Sequence, residues 1–182
     1  MNEAEVIKRT QFWISSIVIG LNLCPFAQRV FKAGQIRYVM TETDDQETLL
    51  QILSNELQAL VNTPTCSVET TLLIHPLVLG KFFDYLDFLS IAEQRIRTVR
   101  LQGVIQIASF HPEYQFDGTD PEAVENYTNR SPYPMLHLLR EDSISKVAHD
   151  SDNMLEIPLR NKRTLKALGR GKLLDMLKEM RE

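Results

Sequence analysis

Thr70-Thr71-Leu72-Leu73-Ile74 runs into His75-Pro76, and Val104-Ile105-Gln106-Ile107-Ala108-Ser109-Phe110 runs into His111-Pro112. Each is a short apolar run of the kind a buried strand presents, closed by a proline that cannot donate to a sheet ladder. The first strand reads from Val68 to His75 and the second from Gly103 to Phe110. Upstream, Ile36 to Thr41 places Ile36, Tyr38 and Met40 on one face and reads as a further strand. Thr43 and Gln46 are spaced as a capping box ahead of Leu49, Leu50, Leu53, Leu57, Leu60 and Val61 at helical spacing. Leu79, Phe82, Phe83, Leu86, Leu89 and Ile96 mark another helix. Strand–helix–strand–helix–strand with short connections is the βαβ pattern, whose right-handed crossovers make the strands parallel and put helices on the sheet faces. The expectation is an α/β fold with a small, mainly parallel sheet. An α+β ferredoxin-like sheet is the alternative, but it requires a hairpin, and no turn dipeptide supplies one.

The flanks are helical. Asn2 and Glu5 are spaced to cap a first helix over Glu3 to Gly20, and Val6, Ile7, Phe12, Trp13, Ile14, Ile17 and Val18 crowd its circumference, so it requires burial on more than one side. Pro25 suits the first position of a short helix carrying Phe26, Val30 and Phe31 and stopped at Gly34, with Cys24 at its N-cap. After Phe110 periodicity is lost for roughly 20 residues, longer than a structural connection usually requires. Helical spacing resumes at Met135, Leu138 and Leu139 and continues to Ile144 and Val147. Leu155 and Ile157 suggest an edge strand before Pro158, and Asn161 then caps a last helix bearing Leu165, Leu168, Leu173, Leu174, Leu177 and Met180. With no internal repeat, residues 1–182 are expected to form one domain.

Hydrophobic residues make up 43% and charged residues 24%, enough apolar material for a core. The net charge of −4 gives no basic field for nucleic acid or an anionic membrane, so nucleic acid is not an expected partner. The charge is uneven: Leu159 to Glu182 holds 8 basic and 3 acidic residues, the rest 12 and 21. Cys24 and Cys66 form no CxxC, the acidic N-terminus is unlike a signal peptide, and Ile14 to Leu23 is too short and polar to span a bilayer. A reducing cytoplasm is the expected compartment.

In a parallel sheet His75 and His111 would lie at the carboxyl edge, where α/β folds place ligands and where imidazole can serve as acid, base or metal ligand. The segment after His111 adds Glu113, Tyr114 and Asp117, then Asn129-Arg130-Ser131, then His137. His111 and His137 are the candidate acid/base groups, Glu113 or Asp117 the partner carboxylate, and His75, Tyr114, Asn129 and Ser131 candidate binding residues. Arg130, placed before a helix start with Pro134 in its first turn, would receive phosphate or carboxylate. Cys24, at a helix N-terminus, would have a lowered pKa and serve as nucleophile or as a soft metal ligand beside the histidines, although no metal-type spacing links them. Each has a plainer role: histidines bonded locally, a loop pinned by its aromatics, a buried thiol, and a basic helix complementing an acidic body. GxSxG, HExxH, Walker and GxGxxG motifs are absent, and no cofactor is indicated.

Asn22-Leu23-Cys24-Pro25-Phe26-Ala27, Phe110-His111-Pro112 with Tyr114-Gln115-Phe116, and Asn129-Arg130-Ser131-Pro132-Tyr133-Pro134 followed by His137-Leu138-Leu139-Arg140-Glu141 resemble the hallmark stretches of the bacterial "domain of unknown function 1415" family. The resemblance covers nearly the whole chain and implies only that these stretches characterise the family. The expectation is therefore a cytoplasmic α/β enzyme or small-ligand-binding protein acting on an anionic small molecule through the 111–137 segment. The alternatives are a metal-binding protein and a protein- or RNA-interaction module using the basic last helix.

Overall fold

Met135-Leu136-His137-Leu138-Leu139-Arg140 is a strand, where its spacing had suggested a helix, and this one element reorganises the sheet. The computed structural model describes residues 2–150 and 156–179. Within it β1 (Ile36–Met40), α3 (Gln46–Asn62), β2 (Thr70–Ile74), α4 (Phe82–Thr98) and β3 (Ile105–Phe110) follow the expected order. They are preceded by α1 (Glu3–Trp13), a π-helical segment (Ile14–Ile19) and α2 (Ala27–Lys32). After β3 the chain passes through a 3₁₀ turn (Val124–Thr128) to β4 (Met135–Arg140), then α5 (Glu141–Asp150), α6 (Glu156–Leu168) and α7 (Arg170–Glu179).

The sheet order is β1-β2-β4-β3. β1 and β2 pair in parallel, and β4 is antiparallel to both β2 and β3. β1, β2 and β3 thus run in one direction, but β4 lies between β2 and β3, so a single parallel pair remains and the mainly parallel expectation is overturned. The fold is mixed α/β. The sequence does not mark β4 as a strand because it has no β-branched residue and its Met135, Leu138 and Leu139 also fit helical spacing, which periodicity over so short a run cannot arbitrate. The β3–β4 hairpin carries no turn dipeptide because residues 111–134, not a tight turn, join its strands. The resulting order, β-α-β-α-β-β, also differs from the ferredoxin-like β-α-β-β-α-β.

Strand alternation divides the apolar side chains between two cores. On one face Leu49, Leu53, Leu57 and Leu60 of α3 and Tyr85, Phe88 and Ala92 of α4 bury Leu73, Ile105, Leu136 and Leu138. On the other, Val6, Trp13, Ile14, Ile17, Leu165 and Leu173 bury Leu72, Ile74 and Met135. Each enclosed Leu or Phe contributes about 1.5–3 kcal/mol. Phe83 does not share this inward face; it is 77% exposed, and the buried stripe of α4 is Phe82, Tyr85, Phe88, Ala92 and Ile96.

Other boundaries shift for local reasons. Asp45, not Thr43, caps α3, its carboxylate accepting from Thr48 N at 2.7 Å, while Thr43 Oγ1 accepts from Asp45 N at 3.1 Å. The first helix is α-helical only to Trp13 and then widens into the π segment. Gly20 follows it because a Cβ there would lie 2.2 Å from the Ser16 carbonyl oxygen. Phe26, not Cys24, is the N-cap of α2. Ile157 lies within α6 rather than in an edge strand; Leu155 and Met180 fall outside the described residues. Asn161 is inside α6, donating from Nδ2 to the Leu23 carbonyl at 2.7 Å, and Gly169, at φ 81°, separates α6 from α7. The basic helices pack onto the acidic loop through Lys162–Glu125 at 2.7 Å and Arg170–Glu122 at 2.5 Å, with Leu165 and Leu173 fully buried. Among the described residues no helix is long and apolar enough to cross a membrane.

The Tyr85 hydroxyl ties α4 to the open end of the hairpin, donating to the Met135 carbonyl at 2.8 Å and accepting from Phe110 N at 3.0 Å. Tyr85→Phe strands both backbone groups in a buried place. Urea unfolding should show a loss of about 2 kcal/mol with an unchanged m-value.

Candidate functional site

The co-directional β2 and β3 bring His75 and His111 to the same sheet edge, where both are fully buried. His75 Nδ1 donates to the Val78 carbonyl at 3.1 Å. His111 Nε2 donates to the Leu79 carbonyl at 3.1 Å, and its Nδ1 accepts from Glu113 N at 3.0 Å. The two rings therefore clamp the loop after β2, in which Leu79 holds a φ of 60°. They flank Tyr85, with ring centroids 6.0 and 5.1 Å from it. Burial pushes His75 down to about 4 and lowers His111 in the same direction. His111 has both ring nitrogens engaged; His75 Nε2 is enclosed and has no partner among the described residues.

The residues between are largely turned inward on the loop. Arg130 donates from Nε to the Tyr114 carbonyl at 3.2 Å and from Nη2 to the Pro121 carbonyl at 2.6 Å, and its guanidinium lies 4.4 Å from the Tyr127 ring centroid. The helix start expected beside it is the entry to β4, so the expected free helix amides are not there. Asn129 donates to the Ser109 carbonyl at 3.0 Å, and Ser131 Oγ donates to the Tyr133 carbonyl at 2.7 Å. Tyr114 packs between Phe82 and Phe116. Glu113 and Asp117 are exposed. Asn126, which the sequence reading passed over, organises the loop: its buried amide accepts from Phe116 N and Thr119 Oγ1 and donates to the Asp120 carbonyl.

His137 belongs elsewhere. It occupies the middle of β4, facing the opposite core, in a cross-strand row with Leu72 and Ala108. That row floors a cavity of about 290 Å³ between the sheet and the π segment with α2. Ile14, Val18, Phe26 and Val30 cover it, and Trp13 meets Phe110 edge-to-face at 5.1 Å at one end. Cys24, Thr70 and His137 are its interior polar groups; Arg29 and Glu69, 4.0 Å apart, lie at the other end, where β1 and β2 begin. Of the sequence candidates, the cavity brings together His137 and Cys24 and leaves out His75, His111, Arg130 and both carboxylates.

The protonation of His137 follows from its neighbour. Thr70 Oγ1 lies 2.6 Å from the Leu138 carbonyl and 2.7 Å from His137 Nε2. A carbonyl only accepts, so the single hydroxyl hydrogen goes to Leu138, and Nε2 must carry the hydrogen that Thr70 accepts. Nδ1 is left with a lone pair; among the described residues it has no partner, and unlike His75 Nε2 it is not sealed from open space. Burial holds His137 at about 4. Burial also pushes the Cys24 thiol up, outweighing the backbone N–H groups of Phe26 and Ala27 that favour thiolate, so the lowered pKa expected at a helix start is reversed. The π segment over the cavity is a second mark of the site, since π turns concentrate at functional positions. Thr70 was hidden inside an apolar run; reading β4 as a strand would have set His137 on its face. Among the described residues no three His, Cys, Asp or Glu side chains gather as a metal would require.

His75 and His137 carry a direct pH consequence. Both are depressed to about 4 in the fold, against about 6.5 in an unfolded chain. The unfolded state therefore takes up protons first. This contribution to stability is complete above pH 6.5 and falls as pH drops towards 4, by roughly 3 kcal/mol per histidine. Urea titrations from pH 7 to 4.5 should show the fall, and His137→Phe should flatten it by that residue's share; identical slopes would contradict the assignment.

No curated protein and no solved structure matches the chain. The family model for a protein of unknown function, DUF1415, matches residues 5–175, nearly the whole length, and the chain belongs to that family.

Proposed function

We propose that the chain binds a small molecule in the cavity beneath the π segment, with His137 as its principal polar contact. The observation that carries this reading is the hydrogen-bond chain from the Leu138 carbonyl through Thr70 to His137, which leaves one imidazole lone pair unused on a residue that lines a mainly apolar cavity. Pockets of this kind, mostly apolar with a few placed polar groups, are the usual form of small-molecule sites. At about 290 Å³ the cavity is small for such a site but about twice the size of an engineered cavity that takes benzene. Binding is favoured over acid–base catalysis, because an imidazole held at about 4 is a weak base near neutrality. Covalent catalysis by Cys24 has the same difficulty, its thiol being pushed up rather than activated. Support for an anionic substrate is weaker than Arg130 had suggested, since that guanidinium is held by two carbonyls and a ring. The two unpaired cysteines suit a reducing, cytoplasmic setting.

Trp13 is the chain's single tryptophan and forms a cavity wall, so it reports on occupancy. Ethylbenzene should quench its fluorescence saturably and raise the Tm, by the equivalent of about 2.7 kcal/mol at a hundredfold excess over Kd. Ala108→Phe fills the floor and should lose both responses while still unfolding cooperatively. No saturable response in the wild type, or undiminished binding by Ala108→Phe, would sink the reading.

A further inference from the structure

We infer that this cavity selects ligands by a hydrogen-bond donor, a phenol, an aliphatic alcohol or an aromatic N–H, and turns away carboxylates and neutral acceptors of the same size. The inference rests on the cavity being a ligand site and names the class of ligand it takes.

The argument is an inventory of hydrogens. Thr70 gives its only hydroxyl hydrogen to the Leu138 carbonyl. His137 gives its Nε2 hydrogen to Thr70 and keeps a lone pair on Nδ1. Trp13 is the remaining ring donor in the walls, and its Nε1 donates to the Arg130 carbonyl at 3.0 Å. Arg140 directs Nη2 to the carbonyls of Leu60, Thr63 and Val68, and its Nε is sealed from any open space. Cys24 offers only a weak S–H donor. Around His137 the floor therefore presents one good acceptor, and among the described residues the neighbouring donors of Thr70 and Trp13 are committed to the protein.

Of the other lining groups that can donate, Gln106 is exposed, Arg29 has 65% of its side chain exposed beside Glu69, and Ser143 is half-buried in the first turn of α5. A carboxylate drawn into the interior would give up its hydration and meet a lone pair, so burial of that charge is uncompensated. A ketone oxygen meets the same lone pair. A hydroxyl or N–H completes the chain from ligand to His137 to Thr70 to Leu138, with every hydrogen used once. Thr70 acts here as a positioning residue: it touches His137 and fixes which ring nitrogen is the acceptor.

Four probes of similar size separate the outcomes by Trp13 quenching and thermal shift: ethylbenzene, 4-ethylphenol, acetophenone and 4-ethylbenzoate. The expected order in the wild type is 4-ethylphenol roughly tenfold tighter than ethylbenzene, acetophenone weaker than ethylbenzene, and 4-ethylbenzoate without saturable binding. Equal binding of 4-ethylphenol and ethylbenzene, or tight binding of acetophenone or 4-ethylbenzoate, overturns the donor rule while leaving the cavity reading intact. Failure of all four removes the cavity reading and this inference with it. Thr70→Val releases the imidazole to place its hydrogen on Nδ1, and should shift preference from 4-ethylphenol towards acetophenone, a reversal that mere loosening of the fold does not produce. The wild-type series decides the matter should that variant fail to fold.

Discussion

β4 constrains everything around it. A strand between two others must pair its backbone on both sides and bury both faces, so its register is tightly specified: a slip of one residue would exchange its two sets of side chains. Met135, His137 and Leu139 face the α1, π-segment and α6 side; Leu136 and Leu138 face α3 and α4. The two ends are pinned by contacts that depend on register. His75 N donates to the Pro134 carbonyl and Tyr85 holds the Met135 carbonyl, while Arg140 reaches three carbonyls at the end of α3 and the approach to β2. A slip would break these and put an imidazole into the leucine core.

The same constraint explains the loop that the sequence marked as chemical. Antiparallel neighbours such as β3 and β4 can be joined by a few residues. Residues 111–134 instead travel out to meet the C-terminal helices, through Glu122 and Glu125 with Arg170 and Lys162, and return past Trp13, whose indole donates to the Arg130 carbonyl. Polar richness in such a segment is a packing requirement, because backbone groups leaving a sheet must find partners. Asn126, Asn129 and Arg130 supply them. The composition that suggests catalysis thus also serves to dock two helices on a sheet.

Legibility followed the same division. β1, α3, β2, α4 and β3 were readable because each had a single periodicity and a stop signal, and the repeated His-Pro endings correctly placed His75 and His111 at one edge. β4 was not readable: it is an apolar run like β2, but it lacks the β-branched residues that mark β2, and its Met135, Leu138 and Leu139 also fit helical spacing. That one error moved His137 from a helix near Arg130 to the middle of a sheet, and with it the centre of the candidate site. Cys24 lines the cavity, but burial reverses the pKa shift expected of it at a helix start. Thr70 was unreadable in principle: its importance depends on a diagonal neighbour whose placement requires the β2–β4 register.

The location of the cavity then has an energetic meaning. An apolar space of about 290 Å³ leaves the side chains around it short of packing partners, which a core ordinarily avoids. A core could reduce that shortfall with modest substitutions, because Ala108 and Thr70 on the floor leave room for larger side chains. Instead the roof is a π segment followed by a glycine that tolerates no Cβ, an arrangement that widens the helix over the gap rather than closing it. A polar pair is set into the floor with its hydrogens directed so that one lone pair is left over. Such features raise the energy of the empty protein, and in the proposed binding mode each is relieved by an occupant of matching shape with one hydrogen to donate.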